Sequence, residues 1–407
     1  MDDFKGRVIQ FHQYCDAMRV EAAFELAAQL ERTAVTGADH VMLGICQSRI
    51  GWFAQAEHTL SGVLPSLAPG EALTRRVSAE LATVKNQLGK IEESAEIEKQ
   101  LYSRRCYTIA DPARAAFIPL FRERLLEDGD TVEGKRVFMV LAGGQGDAIE
   151  QFRNIDNLLA EGASQICVNT PESLRELVSN AALAVTHQTG TFDELAQCDC
   201  LMLGNIMNLR YRSPDAPKVS RVGYMRPAQI RKNPVRLEPL PGKIKIGIVW
   251  RSTNATWFQC RHEPFRSIPL PVLEPLLAQA QIQFFSLQFG ALTQAEQAIL
   301  ARHHVVDAAP AVRSFADLAD IVMQLDLVIT IDSAPAHLCG ALDVPVWNLL
   351  AQVSDWRWGD AAQRTTALYP SMRLLRQRVL GDWQPVVAEL CAQLARIEVL
   401  AHPARRS

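Results

Sequence analysis

Two patterns of apolar residues divide the chain. In the first hundred residues, apolar positions recur at helical spacing and no strand-like alternation is present. Further along, short β-branched runs alternate with helical stretches, a pattern typical of parallel sheets covered by helices. The clearest runs predict strands at residues 136–141, 243–250, 327–331 and 344–350. The chain is therefore predicted to be α/β, with an all-α region in front.

A weak repeat runs through the all-α region. Residues 18–23 and 52–57 align at a shift of thirty-four positions, and a third copy, at 88–95, follows a longer insert. The spacing and the aromatic-then-alanine pattern resemble tetratricopeptide repeats, which stack helix pairs around a concave face. A plain helical cap on the apolar flank of the α/β part is the alternative, because about three units is the lower limit for a self-supporting array.

Shifts in pattern predict the domain boundaries. A chain of 407 residues is long for one core, and its Pro-rich, basic segment 226–241 predicts an interdomain linker. The predicted parts are a tetratricopeptide-like helical domain at 1–105, a helical connector at 106–134, a first Rossmann-like domain at 135–235 and a second at 240–407, which closes with a helix at 384–400.

Composition describes a globular protein without a general attraction to polyanions. The chain is 48% hydrophobic and 21% charged, and its formal net charge of −3 gives no electrostatic case for binding nucleic acid or an anionic membrane. No apolar run approaches the ~20 residues of a membrane span. The start is acidic where a secretory signal would be basic, so we expect a cytoplasmic protein.

The nine cysteines indicate neither a disulfide framework nor a metal centre. Their number is odd, and their spacing matches no zinc-site pattern. Cys198 and Cys200 form the only close pair, beside an apolar segment. We therefore expect buried free thiols and no metal.

The strand at 327–331 feeds a turn with an unusual set of polar residues. Asp332 and Ser333 end the strand, Pro335 sits in the first turn of the next helix, and His337 follows within that turn. A helix N-terminus offers free N–H groups and a favourable dipole to an anion. Many α/β turns bind nothing, but this combination of residue types makes the turn a candidate site.

Seven segments in fixed order carry a family resemblance. They are residues 144–147, 246–250, 266–270, 285–288, 332–342, 355–358 and 369–374. Over roughly residues 115–390 the chain resembles the heptosyltransferase-type glycosyltransferases (family 9), and more closely the bacterial proteins that join tetratricopeptide-like repeats to such a domain. The resemblance implies a GT-B fold, in which two Rossmann-like domains face a cleft and the last helix commonly returns to the first domain.

The loop Gly144-Gln145-Gly146-Asp147 is the candidate acceptor loop. It matches neither phosphate-binding glycine pattern, and its glycines instead allow close approach of the backbone to a ligand. By residue type alone, Asp147 is best interpreted as the N-cap of the following helix, predicted at 149–159. The family resemblance instead implies that Asp147 is the general base.

The candidate donor site lies wholly in the second domain. Its predicted nucleotide-sugar-binding residues are Ser252, Thr253, Arg266, Asp332, Ser333, Ala334 and His337. Hydroxyls and free N–H groups hold phosphate oxygens, and a guanidinium binds a diphosphate through a bidentate fork. Asp332 is anionic, so we expect it to accept sugar hydroxyls or to orient Arg266 or His337. For His337, donation to the diphosphate and a buried core position are both open.

Two aromatic segments have open roles. Trp257 lies in a loop, 255–265, that departs from the family pattern, and it is either a lid over the sugar or part of a loop packed on its own domain. Asp355 and Trp356 combine a hydroxyl acceptor with an aromatic face, which suits a sugar, but this segment is equally a structural plug.

These features predict an inverting, metal-independent glycosyltransferase without a cofactor, which moves a sugar from a nucleotide-sugar donor to a protein or saccharide. A protein or peptide acceptor would dock on the tetratricopeptide-like domain, with assembly of a homo-oligomer as the competing role for that domain. The alternative function is an inactive glycosyltransferase-like scaffold or nucleotide-sugar-binding module. The retained Asp147, Arg266 and Asp332 favour the enzyme.

Overall fold

A computed structural model describes ten stretches of the chain: residues 2–106, 117–127, 129–181, 183–189, 192–211, 221–228, 231, 234–238, 240–252 and 263–396. The chain divides into two compact units. Unit 1 comprises Met1–Arg175, Leu183–Arg221 and Asp355–Asp360, and unit 2 comprises Glu176–Ala182, Val222–Ser354 and Ala361–Ser407. A short segment between two strands of unit 2 therefore belongs to unit 1.

The amino-terminal part of unit 1 is helical, as predicted. Its helices are α1 (Asp2–Asp16), α2 (Val20–Thr33), α3 (Gly37–Arg49), α4 (Phe53–Val63), α5 (Ala72–Gln87) and α6 (Ile91–Leu101). They pack as sequence neighbours, α1 with α2, α3 with α4 and α5 with α6. A Thr36–Asp39 capping box starts α3, and Gly44 allows α4 to approach, since a Cβ there would overlap Leu60. Whether these pairs are tetratricopeptide repeats stays a prediction.

A parallel four-stranded sheet forms the rest of unit 1. Its strands are β1 (Arg136–Val140), β2 (Gln165–Asn169), β3 (His187–Thr189) and β4 (Cys200–Leu203), in the order β3-β2-β1-β4. The helices beyond α6 are α7 (Ile118–Arg124), α8 (Gln145–Gln151), α9 (Ile155–Ala160), α10 (Glu172–Asn180) and α11 (Gly204–Arg210). Of these, α10 is divided, because its residues from Glu176 onward belong to unit 2. The single helix expected at 149–159 is wrong: α8 and α9 are separate, joined by a 3₁₀ turn at Phe152–Asn154.

Unit 2 contains a parallel six-stranded sheet. Its strands are β5 (Ile244–Val249), β6 (Ile282–Ser286), β7 (Val306–Asp307), β8 (Leu327–Ile331), β9 (Val346–Leu350) and β10 (Met372–Arg376), in the order β10-β9-β8-β5-β6-β7. Its helices are α12 (Glu263–Arg266), α13 (Leu270–Leu277), α14 (Gln294–Arg302), α15 (Phe315–Val322), α16 (Ala334–Ala341) and α17 (Gln384–Leu394). The predicted α/β class with parallel sheets is confirmed in both units.

Strand order fixes where each sheet can bind a ligand. In unit 2 the chain moves from β5 outward through β6 and β7, then returns to β8 on the other side of β5. In unit 1 it moves from β1 through β2 and β3, then returns to β4 beside β1. Such reversals leave a crevice at the carboxyl ends of the two central strands, where doubly wound sheets bind ligands. The relevant pairs are β1–β4 and β5–β8.

One expectation about the connections, the place of the last helix, needs correction, and the interdomain linker stays a prediction. The predicted linker is fastened to unit 2, where Arg231 pairs with Asp317 (2.9 Å) and Asp320 (2.5 Å) of α15. The last helix, implied to return to the first domain, instead packs against α13 within unit 2. The cause is its apolar face, on which Val386 and Leu390 are buried. The predicted boundaries at 105, 134, 235 and 240 stay predictions.

The described cysteines are free thiols, and most of them are buried. Burial raises the pKa of Cys200 to about 11 and raises that of Cys339 further, so these thiols are protonated at neutral pH. Among the described helices, none is long and apolar enough to cross a membrane.

Candidate functional site

The loop after β1 lies at the switch point of the unit 1 sheet, the place where the strand order reverses. Hydrogen bonds hold the backbone at the start of this loop. The Gln151 side chain accepts from the Ala142 amide (3.0 Å) and donates to the Ala142 carbonyl (2.8 Å). Gly143 follows with φ +83°, and a Cβ there would lie 2.6 Å from Cγ of Asp147. A glycine is thus required at residue 143 by both conformation and space.

Asp147 lies in the first turn of α8 with both carboxylate oxygens engaged. Its Oδ2 accepts from the Gly144 amide at 2.8 Å, and its Oδ1 accepts from Arg357 Nη2 at 2.7 Å. About a third of the side chain, 33%, remains exposed. Asp147 is therefore not the N-cap predicted from residue type: it is the third residue of α8, and its carboxylate accepts from the amide of the N-cap, Gly144. The exposed third of the side chain leaves the carboxylate open to a ligand, as a base must be.

Arg357 joins three carboxylates. Besides Asp147, its guanidinium pairs with Glu150 at 2.5 Å and with Asp355 at 3.0 Å. Burial alone would lower the pKa of Arg357, but Asp355, Glu150 and Asp147 outweigh burial and hold it well above its usual value. Burial raises the pKa of Glu150, which Arg357 opposes and Asp147 reinforces. The cluster holds one cation against three carboxyl groups.

The sequence did not single out Arg357. The signal was present, because an arginine between two tryptophans follows Asp355, but only the acidic and aromatic members of the segment were assigned. In the structure Asp355 caps the 3₁₀ turn Trp356–Trp358 by accepting from the Arg357 amide at 3.0 Å. Asp355 and Trp356 are thereby placed in unit 1, in the same compact unit as Asp147.

The remaining acceptor-loop residues lie at the start of α8, which begins at Gln145 and so ahead of the predicted bounds 149–159. Gly144 is the N-cap of the helix and is exposed. Gln145 accepts from the Ser173 hydroxyl at 3.2 Å, which ties the loop to α10. Gly146 is half-buried. The structure thus brings these three residues together with Asp147.

On unit 2, the end of β5 presents Ser252 beside Arg266. Arg266, the last residue of α12, donates from Nη2 to Ser252 Oγ at 3.0 Å, and the Ser252 amide donates to Ser267 Oγ at 3.2 Å. Two residues predicted to hold a diphosphate are therefore in direct contact. Thr253 and Trp257, predicted in the same loop, lie outside the described residues.

A buried glutamine, not assigned from the sequence, shapes the end of β5. Gln288 Oε1 accepts from the amides of Trp250 (3.1 Å) and Arg251 (2.9 Å), while its Nε2 donates to the carbonyls of Arg251 (2.9 Å) and Phe289 (3.0 Å). The side chain is 2% exposed. A polar residue two positions after strand β6 was the available signal. Gln288 fixes the backbone that leads into Ser252.

Glu296 adds a second restraint on the same turn. It accepts from Trp250 Nε1 at 2.8 Å and from Arg251 Nε at 3.1 Å. Burial would raise the pKa of the Glu296 carboxyl, but hydrogen bonds from Thr293, Trp250 and Arg251 outweigh burial and lower it. Arg251 is thereby held away from the role of a free phosphate ligand.

The turn after β8 lies across the switch point from the end of β5. Asp332, Ser333 and Ala334 are half-buried. The Ser333 hydroxyl donates to the Ile331 carbonyl at 3.0 Å, so it does not cap α16, and this helix start carries no side-chain cap. An uncapped helix N-terminus offers its N–H groups to an external acceptor.

His337 lies behind this turn. It is 4% exposed, and its Nδ1 is 2.9 Å from the hydroxyl of Tyr369, whose ring meets the imidazole edge-on. A Cβ on Gly340 would overlap the Tyr369 ring, so that glycine makes room for the pair. This is the buried-histidine arrangement, the second of the two interpretations open from the sequence.

The described residues contain no group of three or more His, Cys, Asp or Glu side chains arranged to hold a metal ion. Each unit carries its own set of candidate residues. One is the Asp147 loop with Arg357 on unit 1, and the other is the pair of strand ends on unit 2 that carry Ser252, Arg266 and Ser333.

No protein-family model matches the chain. A curated relative is Protein FlbA of Caulobacter vibrioides, which is 24% identical over 191 residues, covering 46% of this chain and 31% of FlbA. The chain thus spans about a third of the length of that relative.

Several solved structures are similar to the chain. A glycosyl transferase of family 9 from Veillonella parvula is 13% identical, with a TM-score of 0.41, over 66% of this chain and 91% of that one. The ADP-heptose LPS heptosyltransferase II of E. coli is 16% identical, with a TM-score of 0.42, over 64% and 98%. An O-GlcNAc transferase mutant from Thermobaculum terrenum is 14% identical, with a TM-score of 0.30, over 97% and 89%. At these scores the likeness alone establishes no activity for this chain.

Proposed function

We propose that the chain is an inverting, metal-independent glycosyltransferase that uses a nucleotide-sugar donor. The observation that carries the proposal is that the two loops singled out by residue type, 143–147 and 332–334, each follow a central strand at a switch point of a parallel sheet. Ligands of doubly wound sheets bind at such points. Two independent sites, one with a carboxylate and one with diphosphate-binding groups, suit a reaction with two substrates.

The donor would bind on unit 2. Arg266 would face the diphosphate with its guanidinium, and the amides of Ser333 and Ala334 at the uncapped start of α16 would meet phosphate oxygens. Thr253 is proposed to add a hydroxyl beside Ser252. Asp332 would accept hydroxyls of the ribose or sugar, and His337 would support the turn through Tyr369.

The transfer step places Asp147 as the base. Asp147 takes the proton of the acceptor group as that group attacks the anomeric carbon, and the bond from that carbon to the diphosphate breaks. The bonding electrons leave with the diphosphate, where Arg266 and the α16 amides stabilise the added charge in place of a metal. Attack opposite the leaving group inverts the anomeric configuration.

The acceptor is proposed to be a protein side chain or a saccharide. Stacked helix pairs present a groove that holds extended polypeptide, and α1–α6 form three successive pairs in the same compact unit as Asp147. Assembly of a homo-oligomer through these helices is the competing role. Gly144, Gln145 and Gly146 would line the acceptor side, and Asp355, Trp356 and Trp257 would contact the sugars.

A binding module without catalysis is the second candidate. It is favoured by one observation, since both oxygens of Asp147 already have partners, as a purely structural carboxylate would. The two candidates share the donor site and differ in turnover.

The test combines binding with turnover. Calorimetry of the full chain against ADP, GDP, UDP and CDP and their sugars should show one nucleotide class that binds, followed by slow donor hydrolysis by water. Asp147→Asn should reduce turnover by a factor on the order of 10²–10⁴ with donor affinity unchanged. Donor binding with no turnover in either protein would establish the module, and absence of binding for the whole panel would overturn both candidates.

A further inference from the structure

The guanidinium of Arg357 lies within hydrogen-bonding distance of Asp147. It contacts Asp147 Oδ1 at 2.7 Å, Glu150 Oε2 at 2.5 Å and Asp355 Oδ1 at 3.0 Å, using Nη2, Nη1 and Nε in turn. A planar fork of fixed donors orients the groups it binds far more strictly than a point charge does. The arrangement is thus a clamp on three carboxylates, here called the Arg357 clamp.

We propose that Arg357 is a positioning residue for the reaction, which holds the Asp147 carboxylate in the orientation that receives the acceptor proton. The inference rests on the proposed function, because it needs Asp147 to be the base. Arg357 itself would contact neither substrate. It would act by fixing one oxygen of Asp147 while the Gly144 amide fixes the other at 2.8 Å.

Exposure identifies which members of the clamp can meet a ligand. The Glu150 side chain is 7% exposed, whereas that of Asp147 is 33% exposed. Asp355 is exposed to a similar extent, 35%, but it also caps the turn that carries Arg357. Glu150 is therefore the buried member of the clamp, while Asp147 and Asp355 are both accessible, and the proposed function assigns the proton transfer to Asp147.

Charge explains why three carboxylates surround one cation. A lone arginine beside a base makes the carboxylate a poorer proton acceptor, because the cation favours the charged form. Glu150 and Asp355 share the same guanidinium, so its positive charge is divided among three carboxyl groups. The charged groups around the clamp also include Arg153, which acts on Glu150, and α5, packed against Trp356–Trp358, carries the buried carboxyl Glu80.

The test compares Arg357→Ala and Arg357→Lys with a matched control, Arg210→Ala. Arg210 is also 20% exposed on its side chain and pairs with a mostly buried carboxylate, Glu161, at 2.5 Å within unit 1. Loss of either ion pair should lower Tm by a comparable amount. Only loss of the clamp should change the titration of Asp147.

Two readouts are expected to respond to Arg357 alone. In Arg357→Ala, the acid limb of the kcat/KM profile should move up by about 1 pH unit or more, and kcat should fall at least 10-fold with donor affinity unchanged. Carboxyl ¹³C NMR, assigned with Asp147→Asn, should show the same upward shift of the Asp147 titration midpoint. In Arg357→Lys, the Asp147 titration midpoint should lie between those of wild type and Arg357→Ala, because lysine keeps the positive charge. Its kcat should still fall, because lysine lacks the planar guanidinium that orients the carboxylate.

The outcomes separate this inference from the proposed function. An unchanged Asp147 midpoint in Arg357→Ala, with a fall in Tm like that of Arg210→Ala, would make the clamp a purely structural ion cluster and overturn the inference. The proposed function would be overturned instead if the Asp147 midpoint differs between wild type and Arg357→Ala but the wild-type protein turns over no donor. Full kcat in Arg357→Ala at optimal pH would also exclude a positioning role.

Discussion

Arg266 donates a hydrogen bond from Nη2 to the hydroxyl of Ser252 at 3.0 Å, so the carboxyl end of α12 meets the carboxyl end of β5. The contact holds the guanidinium beside the residues that follow β5. Both residues were expected to bind phosphate, and the contact shows how the cation is held at the switch point before any ligand arrives. Pre-organisation of this kind lowers the entropic cost of binding.

Replacement of Arg266 should therefore affect binding of the phosphates and leave binding of the nucleoside part nearly unchanged. Arg266→Ala should weaken binding of a nucleoside diphosphate about 10- to 100-fold, the loss expected for a charge-assisted hydrogen bond. Binding of the corresponding nucleoside should hardly change, and Arg266→Lys should lie between. Isothermal titration calorimetry measures both ligands. An equal loss for nucleoside and diphosphate would show that Arg266 supports the loop and does not face the phosphates.

Residue type and order were enough to predict the strands that the candidate loops follow. The apolar runs predicted the strands that became β1, β5, β8 and β9, because fully buried parallel strands are apolar on both faces. The glycine loop and the Asp332 turn were found because polar residues directly follow those strands. Strand order was beyond reach, since it depends on which β-branched surfaces pair over long distances, and strand order puts the loops at the switch points.

The contacts that shape the site were not predictable in the same way. Arg357 and Asp147 are 210 positions apart, and a segment flanked by unit 2 strands gave no sign that it packs in unit 1. The role of Gln288 was not predictable for a different reason. Its side chain makes four hydrogen bonds with backbone groups, and these form only after folding. The prediction for the last helix was wrong because it followed the family resemblance and did not consider the apolar face of the helix.

Gln288 should matter for both stability and donor binding. Gln288→Leu leaves buried backbone groups at Trp250 and Arg251 without partners, at a cost of at least about 2 kcal/mol. It should also weaken nucleotide binding, because the backbone entering Ser252 loosens. Gln151→Leu is the matched control, since Gln151 pins Ala142 through its amide in unit 1. Urea unfolding and calorimetry on both variants check this. Equal nucleotide affinity in the two variants would contradict the role of Gln288.

Glu150 should make the folded state less stable as the pH rises, which is the reverse of the usual effect of a carboxyl group. Its folded pKa is raised, chiefly by burial, so the folded state binds this proton more tightly than the unfolded state does. The stability it contributes is complete below the unfolded pKa of about 4.3 and is lost as the pH rises through the folded pKa. Glu150→Gln stays neutral and escapes that loss.

The free energy of unfolding of Glu150→Gln, relative to wild type, should therefore rise with pH across that window. Urea unfolding at a series of pH values from 4 to 8 measures it. Glu161→Gln, which removes the partner of Arg210 elsewhere in unit 1, is the control. A difference between Glu150→Gln and wild type that does not vary with pH would show that the proton affinity of Glu150 is the same folded and unfolded.

The helical region supports the segment that carries Arg357, and this changes what a truncation can show. Helix α5 packs against Trp356–Trp358, and Trp358 is fully buried. Arg104 donates from Nε to the Leu125 carbonyl at 2.7 Å, and Tyr102 packs on the apolar core of the unit 1 sheet. Deletion of residues 1–105 would remove all of these contacts.

We therefore expect deletion of residues 1–105 and deletion of residues 1–36 to have different effects on donor hydrolysis. Deletion of residues 1–105 should abolish donor hydrolysis by water as well as transfer, because the Arg357 clamp loses its support. Deletion of residues 1–36 removes only α1 and α2, a terminal pair of a stacked array, and should keep hydrolysis within a few-fold of the full chain. If the helices dock a protein acceptor, the shorter deletion should still reduce labelling of acceptors in a cell lysate. Hydrolysis at the full rate after deletion of 1–105 would show that the helical region is an independent module and that the clamp stands without it.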